Sequence, residues 1–116
     1  MYVYNVKLDR VVDGDTVDLT VDLGFHVNIK ERFRLLGIDA PESRTRDLAE
    51  KKRGGQATFF LQKLIDDSEF IILDTFKDRK GKFGRWLATL YDDRGNNLNE
   101  MMVDHGHAVK YDGGKR

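Results

Sequence analysis

The segment VDLTVDL, residues 17–23, alternates strictly between apolar and polar residues and restricts the fold more than any other stretch. This alternation predicts a strand with one buried face and one wet face. Gly24 then supplies a turn, and apolar residues continue at odd positions in a second run made of Phe25, Val27, Ile29, Phe33 and Leu35. The two runs predict an antiparallel hairpin.

Three further strands are expected outside this hairpin. Residues 2–12 predict a strand of mixed pattern, and FIILDTF (70–76) and WLATLY (86–91) predict two more. Residues 55–66 predict an amphipathic helix, because apolar residues recur there at helical spacing, namely Ala57, Phe60, Leu61, Leu64 and Ile65.

LNEMMVDHG, residues 98–106, predicts a short second helix with Asn99 as its N-cap and Gly106 at its end. Five strands with a helix between the third and the fourth are typical of a small barrel. The fold class predicted is therefore mainly β with helices (α+β), a five-stranded OB-fold barrel with packed α-helices.

The chain length of 116 residues predicts one domain, with residues 1–110 forming the barrel and residues 111–116 a flexible tail. The longest apolar runs are only a few residues long, so no membrane role is expected. The first ten residues have no apolar export-signal core, so the chain as printed is expected to be cytoplasmic, with a secreted mature form left open. A monomer is expected.

Positive charge is concentrated in two segments although the net charge is zero. Residues 30–53 contain eight basic and five acidic residues, and KDRKGKFGR (77–85) contains five basic residues and one acidic residue. A local positive surface attracts polyanions even on a neutral protein. Two solvated loops would give the same pattern, so charge alone leaves nucleic-acid binding open.

The segment FRLLGIDAPES, residues 33–43, places charged residues at the end of a predicted strand. Arg34 and Asp39 would be about 16 Å apart on a straight strand, so they meet only if the strand bends. Gly37 is the candidate for this bend, and Pro41 should end the sheet ladder. The strand end would then present oxygens of Asp39, Ala40 and Glu42, a set that suits Ca²⁺ above all and leaves Mg²⁺ or Mn²⁺ possible.

A third carboxylate comes from VDGDTV, residues 12–17, where Asp15 shares the inward parity of Val17. A carboxylate on an inner face must be paired or bound to a metal. An ordinary Asp-Gly turn is the competing interpretation. Two arginines, Arg34 and Arg85, would bind phosphate oxygens beside such a cation, although each also fits a structural ion pair.

The motifs DGDT, FRLLGIDAPE and FGRWLA, in this order and spacing, resemble the staphylococcal nuclease (micrococcal nuclease, thermonuclease) family over nearly the whole chain. The resemblance implies an OB-fold barrel and a calcium-dependent nuclease that acts on DNA and RNA and leaves 3′-phosphates. It implies that Asp15, Asp39 and the backbone carbonyl of Ala40 bind Ca²⁺, with Asp13 as an acid close to the metal.

The same resemblance implies the catalytic residues. Glu42 would orient or deprotonate the attacking water, and Arg34 and Arg85 would neutralise the phosphate. Binding would prefer single strands, through backbone charge and base stacking.

Lys82, Phe83 and Tyr111 are the nucleic-acid-binding candidates. The best-known member of the family has threonine where this chain has Ala40, and tyrosine where it has Phe83. Trp86 would also stack on a base, although core packing is favoured for it because it begins a strand.

The alternative function is a non-catalytic OB-fold module that binds single-stranded nucleic acid or a protein partner. The residues that separate the two functions are the five whose roles depend on chemistry, Asp15, Arg34, Asp39, Glu42 and Arg85. A degenerate copy would usually lack at least one of them, and all five are present. The sequence therefore favours the enzyme.

Overall fold

The computed structural model describes residues 2–77 and 86–111. Within these residues the chain forms seven strands and two helices. In chain order the strands are β1 (Tyr2–Asp13), β2 (Thr16–Asp22), β3 (Asn28–Leu35), β4 (Ile38–Asp39), β5 (Ile71–Lys77), β6 (Trp86–Tyr91) and β7 (Val109–Lys110). Five of them close into a barrel in the order β1-β2-β3-β6-β5, and β4 pairs with β7 beside it. The predicted five-stranded barrel with helices is confirmed.

The β2–β3 hairpin forms one wall of the barrel and follows the predicted parity only in part. Val17, Leu19 and Val21 on β2 are buried, as are Phe33 and Leu35 on β3. The prediction is wrong at the hairpin tip. Phe25 is 98% exposed and lies in the turn, with φ of 55°, and Val27 and Ile29 are also exposed. Apolar and polar residues therefore keep alternating along the hairpin tip, although the rest of the barrel no longer covers the apolar ones.

Helix α1 (Leu48–Asp66) covers the barrel and begins seven residues before its predicted start at residue 55. Asp47 is its N-cap and accepts the backbone N–H groups of Ala49 and Glu50 at 3.0 and 3.2 Å. The apolar spacing that predicted the helix begins only at Ala57, so it did not mark the mostly polar turns before that residue. In the structure Gly54 is part of the buried stripe, together with Ala57, Leu61 and Ile65.

Helix α2 (Leu98–Asp104) has Asn97 as its N-cap, so the prediction of Asn99 is wrong. Asn99 is 3% exposed, and its amide donates to the backbone carbonyls of Ala88 and Leu36 at 2.9 and 3.0 Å. Buried backbone carbonyls need such partners. The Asn99 side chain therefore binds α2 to the barrel wall, and the half-buried Asn97 caps the helix.

The core lies inside the barrel and under both helices. Its largest fully buried side chains come from four strands and both helices: Val17, Leu19, Val21, Leu35, Leu73, Leu90, Leu61, Leu98 and Met102. Over residues 2–77 and 86–111, neither helix has the length and apolar content needed to cross a bilayer.

Candidate active site

The end of β3 carries the first part of the candidate site. The strand stops at Leu35, and Gly37 adopts φ of 81°, a left-handed conformation that favours glycine. The chain turns at residues 36–37 and enters the two-residue strand β4, whose Asp39 pairs with Val109 of β7. The bend expected at Gly37 is present. As a result Arg34 Nη2 lies 3.2 Å from Asp39 Oδ1, where an unbent strand would have kept the two side chains apart.

The turn between β1 and β2 contributes Asp15, which is 5% exposed. Its Oδ2 accepts the backbone N–H of Ala40 at 2.9 Å, and its Oδ1 accepts the Thr16 hydroxyl at 2.9 Å. Its backbone carbonyl also accepts the Leu35 N–H at 2.7 Å. Asp15 is therefore bonded to the chain on both sides of the bend at Gly37.

Gly14 explains why a glycine separates the two aspartates of this turn. A Cβ at Gly14 would lie 2.8 Å from the Ala57 Cβ on α1 and 3.0 Å from the Ala40 Cβ. Real Cβ atoms do not approach so closely. The turn, the helix and the segment after β4 therefore meet at Gly14, which packs Asp15 against Ala40.

Arg34 joins the two carboxylates. Its Nη1 lies 3.5 Å from Asp15 Oδ2, and its Nη2 contacts Asp39. The Tyr111 ring lies 5.5 Å from the guanidinium carbon, a distance at which the ring face attracts the cation. The Arg34 side chain is 21% exposed, so its charge is partly shielded from solvent. One guanidinium thus lies between carboxylates from two separate turns.

Glu42 lies just beyond Pro41 and is exposed. It lines a groove of about 380 Å³ together with Asp39, Ala40, Glu50, Arg53 and His107. The groove separates α1 from the chain that follows α2. The structure therefore brings Glu42 and Asp39 to one concave surface. Arg34 contacts Asp39 and Asp15, so Arg34 and Asp15 lie next to the part of the groove that Asp39 lines.

Asp13 makes a contact that the sequence did not indicate. Its Oδ1 accepts both the backbone N–H of Ser43, at 3.2 Å, and the Ser43 hydroxyl. The register of β1 against β2 shifts between Val11 and Asp13, directly before this contact. Asp13 therefore links the end of β1 by hydrogen bonds to Ser43, the residue after Glu42.

Tyr111 is held in place by its backbone as well as its ring. Its N–H donates to the Gly37 carbonyl at 2.8 Å, at the bend that brings Arg34 to Asp39. Tyr111 opens the predicted tail, whose remaining residues lie outside the described part of the chain. Lys82, Phe83 and Arg85 also lie outside it. Trp86 is 38% exposed, so its predicted core packing is wrong.

The groove also contains residues that sequence reasoning missed. Glu50 Oε2 accepts the Glu42 N–H at 3.2 Å, and Gly54 lies against the Glu42–Ser43 peptide. His107 stacks on Phe60 of α1 with ring centroids 4.5 Å apart. The spacing Asp47-x-x-Glu50 was the available signal, because it is a helix-start signature and would have placed Glu50 near the FRLLGIDAPES segment.

The ion pair with the clearest effect on a pKa lies away from this groove. Arg32 on β3 donates to both Asp18 carboxylate oxygens, at 2.7 and 3.1 Å. These hydrogen bonds lower the pKa of Asp18, and the slight burial of Asp18 opposes them. Asp18 and Arg32 are directly paired across β2 and β3, on the wet face of the hairpin.

The side chains alone do not make a complete metal cage. Within the described residues there is no cluster of three or more acidic or histidine side chains positioned to hold a metal ion. The oxygens that do come together are carboxylates of Asp15 and Asp39, next to the Ala40 backbone. All are hard ligands, of the kind that Ca²⁺ and Mg²⁺ accept.

A barrel of this topology, with an arginine and two aspartates at a bent strand end, is the arrangement that the sequence motifs implied. The family described as staphylococcal nuclease homologue matches residues 32–115 of the chain. The chain therefore belongs to the staphylococcal nuclease homologue family. This confirms the family resemblance drawn from the three motifs.

Three bacterial relatives extend the similarity beyond the matched region. An uncharacterized protein of Bacillus anthracis is 32% identical over 103 residues, covering 89% of this chain and 45% of the relative. Endonuclease YncB of Bacillus subtilis is 30% identical over 90% of this chain and 46% of its own length. The SPbeta prophage-derived endonuclease YokF of Bacillus subtilis is 32% identical over 90% of this chain and 33% of its own length. The chain thus spans less than half of each.

Proposed function

We propose that the chain is a calcium-dependent nuclease that hydrolyses phosphodiester bonds of DNA and RNA with little sequence specificity. The observation that carries the proposal is the Arg34 guanidinium held between Asp15 and Asp39, beside a groove lined by Glu42. Membership of the family and the endonuclease names of two relatives support it.

Ca²⁺ fits the donors present. Asp15, Asp39 and the Ala40 carbonyl would hold it, and water would complete its coordination, as Ca²⁺ commonly allows. When bound, the ion would supply positive charge opposite the phosphate oxygens. The Ala40 N–H is already bonded to Asp15. This bond anchors the backbone at Ala40, directly before the carbonyl that would be the ligand. Alanine in place of the family's threonine leaves that main-chain ligand intact.

Glu42 would act on the attacking water. Within the described residues its carboxylate makes no hydrogen bond or ion pair, and it faces the groove, so it is available to orient a water and take its proton. The water oxygen would attack phosphorus in line with the 5′ oxygen. The bond from phosphorus to that oxygen breaks, the 5′ oxygen takes up a proton, and a 3′-phosphate remains.

Arg34 would stabilise the charge that develops on the phosphate oxygens. Its Nη1 contacts Asp15, and its Nη2 contacts both Asp39 and the Ile38 carbonyl, the last two at 3.2 and 3.4 Å. The second N–H of Nη1 and the Nε–H make no further hydrogen bond or ion pair within the described residues. Donors therefore remain for a phosphate, and their direction is fixed by the two carboxylates. Preorganised donors of this kind act without reorganisation during the reaction. Arg85 is proposed as the second arginine, on the basis of its FGRWLA motif.

Nucleic acid would approach over exposed basic residues around the groove. Arg44, Arg46, Lys51, Lys52 and Arg53 are all exposed. Basic side chains bind the phosphate backbone without reading sequence. Lys82, Phe83 and Tyr111 are proposed to contact the substrate beside them, with single strands preferred because an unpaired base is free to stack.

Digestion of denatured DNA and of RNA by the purified chain tests the proposal. The reactions contain millimolar Ca²⁺ or an excess of chelator, and the termini of the products are identified. Cleavage that needs Ca²⁺ and leaves 3′-phosphates is expected. Glu42→Gln should slow it by about 10²–10⁴-fold, whereas Glu31→Gln, on the exposed face of β3, should not. Strand binding without cleavage would instead identify the non-catalytic module.

A further inference from the structure

We propose that Glu50 is a positioning residue for Glu42, and that it acts by holding the Glu42 backbone N–H. The inference rests on the proposed nuclease function, in which Glu42 acts on water. Glu42 itself is exposed and, within the described residues, makes no side-chain contact that fixes it. What holds this residue is therefore its backbone, and three contacts converge on the backbone of Glu42 and Ser43.

The first contact comes from Glu50, in the first turn of α1. A glutamate three residues after an N-cap ordinarily bonds back to the N-cap N–H. Here the Asp47 N–H donates to the Thr45 hydroxyl at 3.2 Å instead. Glu50 Oε2 is left to accept the Glu42 N–H, also at 3.2 Å. Because the Thr45 hydroxyl accepts the N-cap N–H, the Glu50 carboxylate can accept the Glu42 N–H.

The second contact lies one helical turn further along α1, at Gly54. A Cβ at this position would lie 2.4 Å from the Glu42 carbonyl oxygen and 2.7 Å from the Ser43 nitrogen. Residues four apart share one helix face. The face formed by Glu50 and Gly54 therefore packs against the backbone of Glu42 and Ser43. The Glu50 carboxylate bonds to the Glu42 N–H, and Gly54 lies against the Glu42 carbonyl and the Ser43 nitrogen.

The third contact is made by Asp13, at the end of β1, which accepts the Ser43 N–H and hydroxyl. Two successive amides, those of Glu42 and Ser43, are thus held by carboxylates from α1 and from the end of β1. Without Glu50 the Glu42 N–H loses its acceptor, and only the Ser43 amide remains held. The Glu42 side chain would then enter the groove from a less defined position.

Steady-state kinetics with three variants test the role of Glu50. Glu50→Ala removes the acceptor and should lower kcat by about ten- to a hundredfold, with KM little changed, because misplacement of a catalytic group costs rate. Glu50→Gln keeps an acceptor oxygen and should restore kcat to near the wild-type value. Asp47→Asn is the matched control: it removes a negative charge from the same helix end and keeps a good N-cap, so kcat should not change.

A double variant separates positioning from general damage. If Glu50 acts only through Glu42, Glu42→Gln combined with Glu50→Ala should be no slower than Glu42→Gln alone, since effects of residues that act as a unit are not additive. Multiplying losses would overturn the proposal. So would a normal kcat in Glu50→Ala, or a loss in Glu50→Gln as large as that in Glu50→Ala.

Hydrogen exchange of the Glu42 amide, followed by NMR, tests the hydrogen bond to Glu50 directly. This measurement does not require the chain to cleave nucleic acid. The amide should be protected in the wild type and in Glu50→Gln, and should exchange faster in Glu50→Ala. Equal exchange in all three would overturn the proposal directly. A wild type that binds Ca²⁺ and strands without cleaving would refute the nuclease function, and with it a catalytic purpose for Glu50. Cleavage by the wild type with unchanged exchange would refute the Glu50 contact alone.

Discussion

Asp15 accepts the backbone N–H of Ala40 at 2.9 Å, joining the turn before β2 to the segment after β4. The two residues are 25 positions apart, and both are buried. The same aspartate approaches Arg34. The candidate site is therefore assembled by the packing of the barrel and depends on few independent loop contacts, so variants at this junction should affect stability and chemistry together.

Replacing Asp15 tests this coupling. Asp15→Ala leaves the buried Ala40 N–H without an acceptor, whereas Asp15→Asn retains an acceptor oxygen. We expect Asp15→Ala to be less stable than Asp15→Asn by about 1–3 kcal/mol, the cost of a buried unsatisfied donor. Urea denaturation measures the difference. Equal stabilities would mean that the hydrogen bond to Ala40 contributes nothing.

The neighbouring glycines of α1 give a matched pair. Gly54→Ala forces a Cβ against the backbone of Glu42 and Ser43, and should cost about 1–3 kcal/mol of stability, as overpacking does. A Cβ at Gly55 meets no atom within 4 Å, and its φ is not in the left-handed region. Gly55→Ala should therefore stabilise the protein by about 0.5–1 kcal/mol.

Thermal unfolding of both variants measures these effects. Nuclease activity should also fall in Gly54→Ala, because the displaced peptide carries Glu42, and stay normal in Gly55→Ala. Two variants with the same midpoint would contradict the close contact between α1 and the Glu42 peptide.

Calcium should stabilise the folded chain if Asp15 and Asp39 hold it. A ligand that binds only the folded state adds about 2.7 kcal/mol when its free concentration is a hundred times the dissociation constant. The melting temperature should therefore rise with added Ca²⁺ in the wild type and much less in Asp39→Asn. Asp66→Asn, near the C-terminal end of α1, is the control and should respond like the wild type. A rise of equal size in Asp39→Asn would place the bound ion elsewhere.

The pair Asp18–Arg32 predicts an acid-dependent part of the stability. Hydrogen bonds from Arg32 lower the pKa of Asp18 in the folded state. A depressed carboxyl pKa stabilises the fold at pH values above the unfolded pKa, about 3.9 for aspartate, and the contribution disappears as the pH falls through the folded value. Thermal melts of the wild type and Asp18→Asn should differ by a constant amount from pH 7 to about pH 5 and converge below about pH 4. A difference that persists in strong acid would exclude this origin.

Local sequence patterns predicted correctly those elements in which one face is buried along the whole element. The alternation at residues 17–23 predicted a buried face correctly at Val17, Leu19 and Val21, which the barrel covers, and incorrectly at Leu23, which is exposed. The same alternation was misleading at Phe25, Val27 and Ile29, since periodicity does not say where the covering layer stops. Asn97 and Asn99 are equally good caps by residue type, and only the barrel carbonyls that Asn99 reaches decide between them.

The site was predictable where a backbone constraint lies within one segment. Gly37 allowed the approach of Arg34 and Asp39 to be anticipated, because both lie within a few residues of the bend. The contacts of Asp13 with Ser43, and of Glu50 and Gly54 with Glu42, depend on how α1 packs against β1. No local pattern contains that information. The close packing of Gly54 against the Glu42 carbonyl is likewise a tertiary contact.

The most direct test of the central claim is the rate at which Arg34→Lys cleaves denatured DNA in Ca²⁺, compared with the wild type. Lysine keeps the charge but loses the planar group that lies between Asp15 and Asp39, so it cannot present fixed donors to a phosphate. The rate should fall by about 10²–10³-fold with the fold intact, the cost of losing a preorganised transition-state donor. Arg32→Lys, two residues earlier on β3 and exposed, should cleave normally. A near-normal rate in Arg34→Lys would contradict the role of the Arg34 guanidinium.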